Sequence, residues 1–392
     1  MTAGYRIWAA ACAAMAALML AVPVQAKDRA REQSGDILKT MEHVADWELA
    51  HPDTAFHPAT GSDSASPLGW VVGAFYTGLT QLADRSDDAR YDEAILALGA
   101  KHDWALGPRP FHADDSEVAQ QWVWAYDRKK DAAMIAPTRA RFDAIIAADP
   151  HDSLLMTRAP GGIGGCFRRW CWSDALFMGP PGWVALAQAT GDDRYQKYAD
   201  REYAATTALL FDKDRGLYYR DSSFFGKKGD HGEPIFWSRG NGWAYAGLAR
   251  ILTMLPASSP SRPYYQDLFL RMSKALLPLQ KADGTWAPSL LDPRPDTPPE
   301  TSGTAFFTYG MAWGVDHGLL KGAGYRRAAD KGWAALGRAV EADGKLGWVQ
   351  QIGSKPDAVA ADHTQPYGVG AFLLAGSAMF DLARHREHGK TR

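Results

Sequence analysis

The stretch SDALFMGPPGWVALAQATGDDRYQKYADREYAATTALL, residues 173 to 210, contains two segments of different character. Its first half is rich in glycine, alanine and aromatic residues and has no strongly charged face, which is typical of a helix packed on most sides. Its second half, from Asp193, repeats apolar residues at intervals of three and four, as an amphipathic helix does. The stretch therefore predicts a buried helix followed by a surface helix.

The same alternation recurs along the chain. Amphipathic segments begin at residues 37, 89, 138, 193, 263 and 324, and apolar segments begin at residues 69, 116, 173, 240, 302 and 366. Runs of alternating Val, Ile and Thr, which would indicate strands, are scarce. The pattern predicts an all-α fold in which six inner helices alternate with six outer ones in a closed double ring. An open solenoid of helical hairpins is the competing architecture.

The first residues have the features of an export signal. Arg6 supplies a positive charge, residues 7–22 are apolar, and Val24-Gln25-Ala26 is a small-residue cleavage pattern. We expect a signal peptide at 1–26, one domain at 27–392, and export across the inner membrane to the periplasm. No later segment is judged apolar enough to cross a bilayer, so no membrane association is expected after cleavage.

Composition narrows the classes of partner. The formal net charge of −2 gives no support to nucleic-acid binding by bulk electrostatics. Beyond the signal, only Cys166 and Cys171 remain, and either a local disulfide or two buried thiols would explain them. The chain has no HExxH, GxSxG or dinucleotide motif, and we predict no metal and no cofactor.

The loops that enter the inner helices should meet at one end of the ring, where a cleft is a natural binding site. Tryptophans, carboxylates, histidines and an arginine are concentrated there: Trp70 and the segments 112–117, 170–174, 231–243, 299–304 and 362–368. Sugar sites use this mixture, because rings of the sugar stack on Trp while polar groups bind hydroxyls and charges. A carbohydrate ligand is therefore expected.

Three aspartates in these loops are candidates for acid–base chemistry. Asp174 follows two tryptophans, and an apolar setting raises the pKa of a carboxyl group toward general-acid use. A first-turn acid beside a Ser173 cap is the simpler alternative. Asp114 and Glu117 form a helix-capping pattern, so we expect either Asp114 or Asp115 to cap the helix while the other faces the cleft.

The segment WSRGNGW, residues 237–243, contains an arginine and the only asparagine of the chain. Arg239 is the best candidate for binding a carboxylate, through its planar fork of N–H donors. Asn241 indicates a local hydrogen-bonding requirement, either as a left-handed turn before the next helix or as a ligand contact.

Longer motifs resemble a known family. WCWSDALFMGPP from Trp170, WSRGNGWAYAGLARIL from Trp237, PETSGTAFFTYGMAWGVDHGLL from Pro299 and YGVGAFLLAGS from Tyr367 resemble the unsaturated rhamnogalacturonyl and glucuronyl hydrolases of glycoside hydrolase families 105 and 88. The resemblance runs in order from about Asp36 to Leu382 and is greatest to family 105. It implies an (α/α)6 barrel, in agreement with the twelve helices counted independently.

The resemblance also implies a reaction. Such enzymes act on oligosaccharides left by polysaccharide lyases: a proton is added to C4 and water to C5 of a C4=C5 unsaturated uronate, and the hemiketal opens and releases the remaining sugar. The expected substrate is unsaturated galacturonyl-rhamnose from rhamnogalacturonan, a pectic glycan, and the alternatives are a disaccharide with another pectic sugar or one from a glucuronate-bearing glycan. By resemblance, Asp174 is the catalytic acid and base, and the second catalytic aspartate is Asp114 or Asp115, of which we prefer Asp115. The resemblance also implies substrate binding by Arg239, Trp243, Trp70 and His231, and we add Asp114 and Trp172 to the expected substrate-binding residues.

Three other functions compete with this hypothesis. A conventional glycosidase would use Asp115 and Asp174 as a carboxylate pair on saturated glycosides. A sugar epimerase on the same helical ring would depend on histidines near the axis. A periplasmic glycan-binding protein would keep the Trp-lined cleft without turnover. Oligomeric state is not predicted.

Overall fold

The computed structural model describes residues 34–52, 66–156 and 165–387, and the predicted signal peptide lies outside them. These residues form a double ring of helices. The inner helices are α2 (Trp70–Ala83), α4 (Ala119–Lys129), α6 (Ala175–Met178) continued by α7 (Pro180–Thr190), α9 (Ser238–Met254), α11 (Thr301–Asp316) and α13 (Pro366–Glu387). The outer helices are α1 (34–50), α3 (Ala89–Lys101), α5 (Ala136–Ala148), α8 (Asp193–Leu210), α10 (Arg262–Leu276) and α12 (Ala323–Arg338).

The ring is closed. Successive inner helices pack against each other, and the last, α13, packs against the first, α2. Glycines allow this closure, since a Cβ atom at Gly78 or Gly370 would collide with the facing backbone of the other helix. The (α/α)6 barrel is confirmed, and the open solenoid is wrong because both ends of the inner series meet.

One inner helix is interrupted where the sequence places Gly-Pro-Pro. Helix α6 ends at Met178, and α7 starts at Pro180. Proline suits a helix start because its missing N–H would have no intrahelical partner there. A Cβ atom at Gly179 would lie 2.9 Å from the Trp170 ring, so the bend needs a glycine. The short α6 thus presents its N-terminal residue, Asp174, separately from the longer helix.

A two-stranded ribbon joins α8 to α9. Its strands, β1 (Phe211–Asp212) and β2 (Leu217–Tyr218), are antiparallel and are the only sheet in the described part of the chain. Asn241 holds the ribbon: its Oδ1 accepts the Tyr218 N–H at 2.8 Å, and its Nδ2 donates to the carbonyls of Tyr218 and Trp237, each at 3.0 Å. Asn241 lies inside α9, so neither the left-handed turn nor the ligand contact is correct.

Helix α13 contradicts the expectation that no segment after the signal peptide is apolar enough to cross a bilayer. Within the described residues, the segment Pro366–Arg386 is long and apolar enough to cross a membrane by length and composition. In the barrel, 94% of its most apolar window is buried. Its composition is that of an inner helix surrounded by other helices.

Candidate active site

Asp174 is positioned by a strand-like contact with the chain that follows the ribbon. Trp172 pairs with Asp221, and the Ser173 N–H donates to the Arg220 carbonyl at 2.8 Å. The Asp174 carboxylate caps no helical N–H; it accepts a hydrogen bond from Ser173 Oγ at 3.1 Å. Its Oδ2 lies 3.7 Å from Arg220 Nε. The capping alternative is therefore wrong, and the carboxyl group remains available for chemistry.

The environment of Asp174 favours its protonated form. Burial raises the pKa of Asp174, the nearby guanidinium groups of Arg220 and Arg239 lower it, and the negative charge of Asp114 raises it further. The direction matches the sequence expectation. Because the side chain is still 13% exposed, a substrate can reach the carboxyl group. A protonated carboxyl group in contact with substrate is the requirement for a general acid.

The structure separates the two neighbouring aspartates. Asp115 forms an ion pair with Arg109, with Oδ2 2.6 Å from Nε, and its side chain is 4% exposed. Asp114 is 17% exposed, and burial raises its pKa to about 7. The structure does not favour the expectation that Asp115 faces the substrate, because its carboxylate is committed to Arg109. Asp114 is the more accessible carboxyl group, and its negative charge raises the pKa of Asp174.

The predicted capping box before α4 does not form. Residues Ala113–Ser116 make a short 3₁₀ helix. His112 caps its start, because the Asp114 N–H donates to His112 Nδ1 at 3.3 Å. Val118, the residue before α4, makes no side-chain cap. Glu117 instead turns into the barrel and accepts a 2.7 Å hydrogen bond from Thr77 Oγ1, and burial raises its pKa to about 7. Neither Asp114 nor Asp115 caps α4, so that expectation is wrong, and the Asp114 carboxylate lies 3.6 Å from His112 Nδ1.

The loop that carries Asp114 packs on the loop that carries Asp174. The His112 ring lies parallel to Phe167, with centroids 5.3 Å apart, and 4.9 Å from the Trp172 ring. A disulfide between Cys166 and Cys171, with Cα atoms 5.5 Å apart, closes the turn between these aromatic residues. Trp172 is buried, so it supports the site and does not stack on a sugar.

Arg239 is not placed as the resemblance implies. Its guanidinium is fully buried and donates to the carbonyls of Gln350 at 2.9 Å, Gln351 at 3.1 Å and Gly353 at 3.1 Å. It also bonds to the Tyr367 hydroxyl. Direct contact with a uronate is therefore unfavourable without rearrangement. Arg239 holds the 350–353 loop against α9 and lowers the pKa of Asp174 from there.

The remaining predicted residues divide by exposure. Trp70 is half-buried and lies against Trp243 and Tyr367, with ring centroids 6.1 and 5.2 Å away. Trp243 is fully buried, although its Nε1–H has no acceptor among the described residues. His231 is exposed on the loop after the ribbon, and its backbone N–H donates to Glu233 at 3.1 Å. Of these residues, Trp70 can offer a ring to a sugar.

Arg220 is the residue that sequence reasoning missed. It lies between Asp174 and Asp221, and its Nη1 donates to Asp221 at 2.8 Å. It also lines a cavity of about 930 Å³, together with residues from the loops 221–235, 288–298 and 354–359. No motif marks it, because its position depends on the pairing of residues 172 and 221. This cavity is large enough for an oligosaccharide.

These features define an acid–base enzyme with an open cleft at one end of a helical barrel. Two partly exposed carboxyl groups with raised pKa values lie beside an arginine. The described residues contain no cluster of three or more side chains suited to hold a metal ion. The arrangement can donate a proton, accept one, and bind an anionic ligand.

Comparison with known proteins identifies the family. The model of Glycosyl Hydrolase Family 88 matches residues 40–383. An unsaturated 3S-rhamnoglycuronyl hydrolase of Alteromonas sp. (strain LOR) is 38% identical over 86% of this chain and 84% of its own. One of the same name from Formosa agariphila is 34% identical over 88% and 91%. A solved family 88 structure from Bacteroides vulgatus superimposes with a TM-score of 0.78, at 28% identity, over 89% of this chain and 99% of that chain. The chain belongs to glycosyl hydrolase family 88.

Proposed function

We propose that this protein removes a 4,5-unsaturated uronic acid from the non-reducing end of lyase-generated oligosaccharides by hydrating the C4=C5 double bond. The observation that carries the proposal is the pair of accessible carboxyl groups, Asp174 and Asp114, near Arg220, which lines the cavity. Membership of family 88 and the names of the two similar hydrolases support the same chemistry.

In the first step, protonated Asp174 gives its proton to C4, and positive charge develops on C5 and the ring oxygen. Ionised Asp114 stabilises this charge, and the Asp174 carboxylate then accepts a proton from the water that adds to C5. The product is a hemiketal. Its ring opens to a ketone at C5 and leaves a hemiacetal at C1. The hemiacetal then breaks down to an aldehyde at C1 of the uronate, and the leaving sugar departs with a free hydroxyl group.

Arg220 binds the uronate carboxylate in this proposal. Its Nε–H is buried and has no hydrogen-bond acceptor among the described residues, and the same holds for the Trp243 Nε1–H. The Arg220 side chain is 17% exposed and its Nε lies 3.7 Å from Asp174 Oδ2, so a carboxylate bound beside the acid can reach the guanidinium. A guanidinium fits a carboxylate better than an ammonium does.

We place a rhamnose next to the uronate, because the names of both similar hydrolases specify a rhamnoglycuronyl substrate. The pectic disaccharide from rhamnogalacturonan is a second candidate, supported by the WCWSDALFMGPP motif. Residues 1–26 support export to the periplasm, which N-terminal sequencing of the protein purified from its native host would test.

The test follows the ultraviolet absorbance of the unsaturated uronate with lyase-generated uronyl-rhamnose disaccharides. Wild-type protein should remove the absorbance, and Asp174→Asn should reduce kcat by about a hundredfold or more. Asp214→Asn, which changes an exposed aspartate in the turn of the ribbon, is the matched control and should keep full activity.

Other outcomes would select another function. Cleavage of saturated uronyl-rhamnose disaccharides would contradict hydration and favour a conventional glycosidase. Full activity in Asp174→Asn would remove the general acid from the mechanism, whereas an isomer of the substrate that keeps its absorbance would favour an epimerase. Tight binding of the intact disaccharide with no loss of absorbance would favour a binding protein.

A further inference from the structure

A second cavity, of about 280 Å³, lies where the inner helices α2, α9 and α11 end, and is called the end cavity. Its wall includes Arg250 near the end of α9, Tyr309 on α11 and the ion pair of Arg85 with Asp381. We infer that the end cavity binds a small carboxylate through the Arg250 guanidinium and the Tyr309 hydroxyl. This inference is independent of the function proposed above, because the end cavity shares no lining residue with the active site.

The end cavity is separated from the active site along the barrel axis. On α9, Gly240 lies beside Asp174, and Arg250 follows ten residues later, or about 15 Å farther along the helix. Between these positions, the rings of Trp243 and Phe177 are fully buried and pack with centroids 4.7 Å apart. These aromatic rings close the axis, so a ligand in the end cavity does not contact the reacting carboxyl groups.

One glutamine holds the Arg250 side chain. Arg250 Nε donates to Gln120 Oε1 at 2.7 Å, and Gln120 Nε2 donates to the Phe177 carbonyl at 3.1 Å. The two Nη groups of Arg250 make no hydrogen bond within the part of the chain that the structure describes. The guanidinium is therefore oriented by the protein, and its paired Nη donors are available to another partner.

The acids of the cavity wall do not neutralise Arg250. Asp381 pairs with Arg85, with Oδ2 2.5 Å from Nη2, and Asp127 pairs with Lys130 at 3.0 Å. Among the described residues, no carboxylate forms an ion pair with Arg250. Burial lowers the pKa of Arg250, because its charged form is poorly solvated there. A negatively charged ligand would supply the counter-ion that these residues do not provide.

Two acids outside the wall also influence Arg250, since the charges of Glu117 and Asp84 raise its pKa. Neither acid lines the end cavity, and each has other partners. Glu117 accepts from Thr77 Oγ1 at 2.7 Å, and Asp84 pairs with Arg128 at 2.6 Å. Their carboxylates are therefore held away from the Nη donors that face the end cavity.

The Tyr309 hydroxyl is a second donor without a partner. Tyr309 is buried, it lines the end cavity, and its hydroxyl makes no hydrogen bond to another described residue. Burial raises the pKa of Tyr309, while the charges of Arg250 and Arg85 lower it, which places both guanidinium groups near the hydroxyl. A hydroxyl on α11 and a guanidinium on α9 therefore converge on the same space.

A carboxylate suits these donors. Its two oxygens match the paired Nη groups of a guanidinium, and either oxygen can also accept from the Tyr309 hydroxyl. A volume of about 280 Å³ is at the lower limit of small-molecule sites, which restricts the ligand to about the size of a monosaccharide. Trp124 and Met254 line the remaining wall and offer apolar contacts to the body of the ligand. A monosaccharide that carries one carboxylate is therefore the probe.

The experiment is titration calorimetry of the full chain with D-glucuronate, and with D-glucose as the neutral sugar of the same ring size. Wild type should bind glucuronate and not glucose. Arg250→Met should weaken this binding at least about tenfold, and Tyr309→Phe about threefold or more, because each removes donors to the carboxylate. Arg327→Met, which changes an exposed arginine on the outer helix α12, is the matched control and should bind as wild type does.

Arg220→Gln is titrated in parallel, because glucuronate can also enter the active site. Binding that is lost in Arg220→Gln and kept in Arg250→Met would place the ligand in the cleft and overturn the inference. Equal affinity for glucose, binding of inorganic phosphate without glucuronate, or no binding at all would overturn it too. Far-ultraviolet circular dichroism checks that each variant is folded, and Tyr309→Phe, which removes one oxygen atom, tests the site if Arg250→Met is not.

Discussion

Replacing Asp115 and Asp114 separately by Asn tests how the structure divides these neighbours. Asp115 accepts three hydrogen bonds from Arg109, from the backbone N–H at 2.9 Å, Nε at 2.6 Å and Nη2 at 3.3 Å. Asp114 accepts none of these and is the more exposed of the two. We expect Asp115→Asn to affect stability and Asp114→Asn to affect catalysis.

The size of the stability effect follows from the burial of the pair. Removing one partner of a fully buried ion pair costs about 3–5 kcal/mol. The Arg109 side chain is 31% exposed, and Asn can still accept the Arg109 backbone N–H, so the expected loss is about 2–3 kcal/mol. For a chain of 392 residues, with an unfolding entropy of about 2.1 cal/mol/K per residue, this lowers Tm by about 3 °C.

Two measurements check this prediction. Thermal unfolding gives Tm for wild type and both variants, and the loss of uronate absorbance gives kcat at a temperature well below unfolding. Asp115→Asn should lower Tm and leave kcat near the wild-type value. Asp114→Asn should leave Tm nearly unchanged and lower kcat by about a hundredfold or more, because the charge on C5 loses its stabilising carboxylate.

The opposite pattern would refute the reasoning. If Asp115→Asn abolished turnover with Tm unchanged, Arg109 and Asp115 would form part of the reacting site, and the assignment of Asp114 would be wrong. If Asp114→Asn were fully active, one carboxyl group would suffice. Asp131→Asn, at an exposed turn after α4, controls for loss of an aspartate charge elsewhere.

Three further predictions concern the surroundings of the pair. Gly240→Ala should lower kcat about tenfold or more with little change in Tm, because its Cβ atom would lie 2.9 Å from Ser173 Oγ, which donates to Asp174, and would push that hydroxyl away. Gly337→Ala, which has open space around it, is the control. Arg220→Gln removes a charge that lowers the pKa of Asp174, so the alkaline limb of the kcat–pH profile should move to higher pH. Burial raises the pKa of Glu117 from 4.5 to about 7, so its protonation contributes about 3 kcal/mol of stability that is fully present below pH 4.5 and is lost as pH rises through 7. The free energy of urea unfolding should therefore depend less on pH in Glu117→Gln than in wild type. An equal pH dependence in the two proteins would contradict this.

The local pattern of the sequence was sufficient to predict the helices and to select Asp174 as a candidate acid. Helical periodicity is a short-range property, so each amphipathic or apolar segment can be recognised without knowing its neighbours. The Gly-Pro-Pro break after Met178 also acts locally, through backbone conformation and a missing N–H. The apolar residues next to Asp174 in the chain were enough to predict the direction of its pKa.

The partners of the charged residues could not be predicted in this way. Arg239 is bound by carbonyls more than a hundred positions later in the chain, as its 111-residue separation from Gln350 shows. Arg220 reaches Asp174 because β2 continues into a contact with Trp172. Family resemblance assigned the uronate to Arg239 on motif alone, without information on whether that guanidinium was already buried and bonded to backbone carbonyls.

The sequence by itself therefore determined the class of fold, the order of its twelve helices and the candidate acid Asp174, because these depend on composition and spacing over short stretches. Only the tertiary structure shows that Asp115 is paired with Arg109 while Asp114 is the more exposed, joins Cys166 to Cys171, and places Arg220 at the cavity. The physical reason is that adjacent residues in a 3₁₀ turn point in different directions. Which of them meets Arg109 and which meets the cleft depends on how loops from distant parts of the barrel pack.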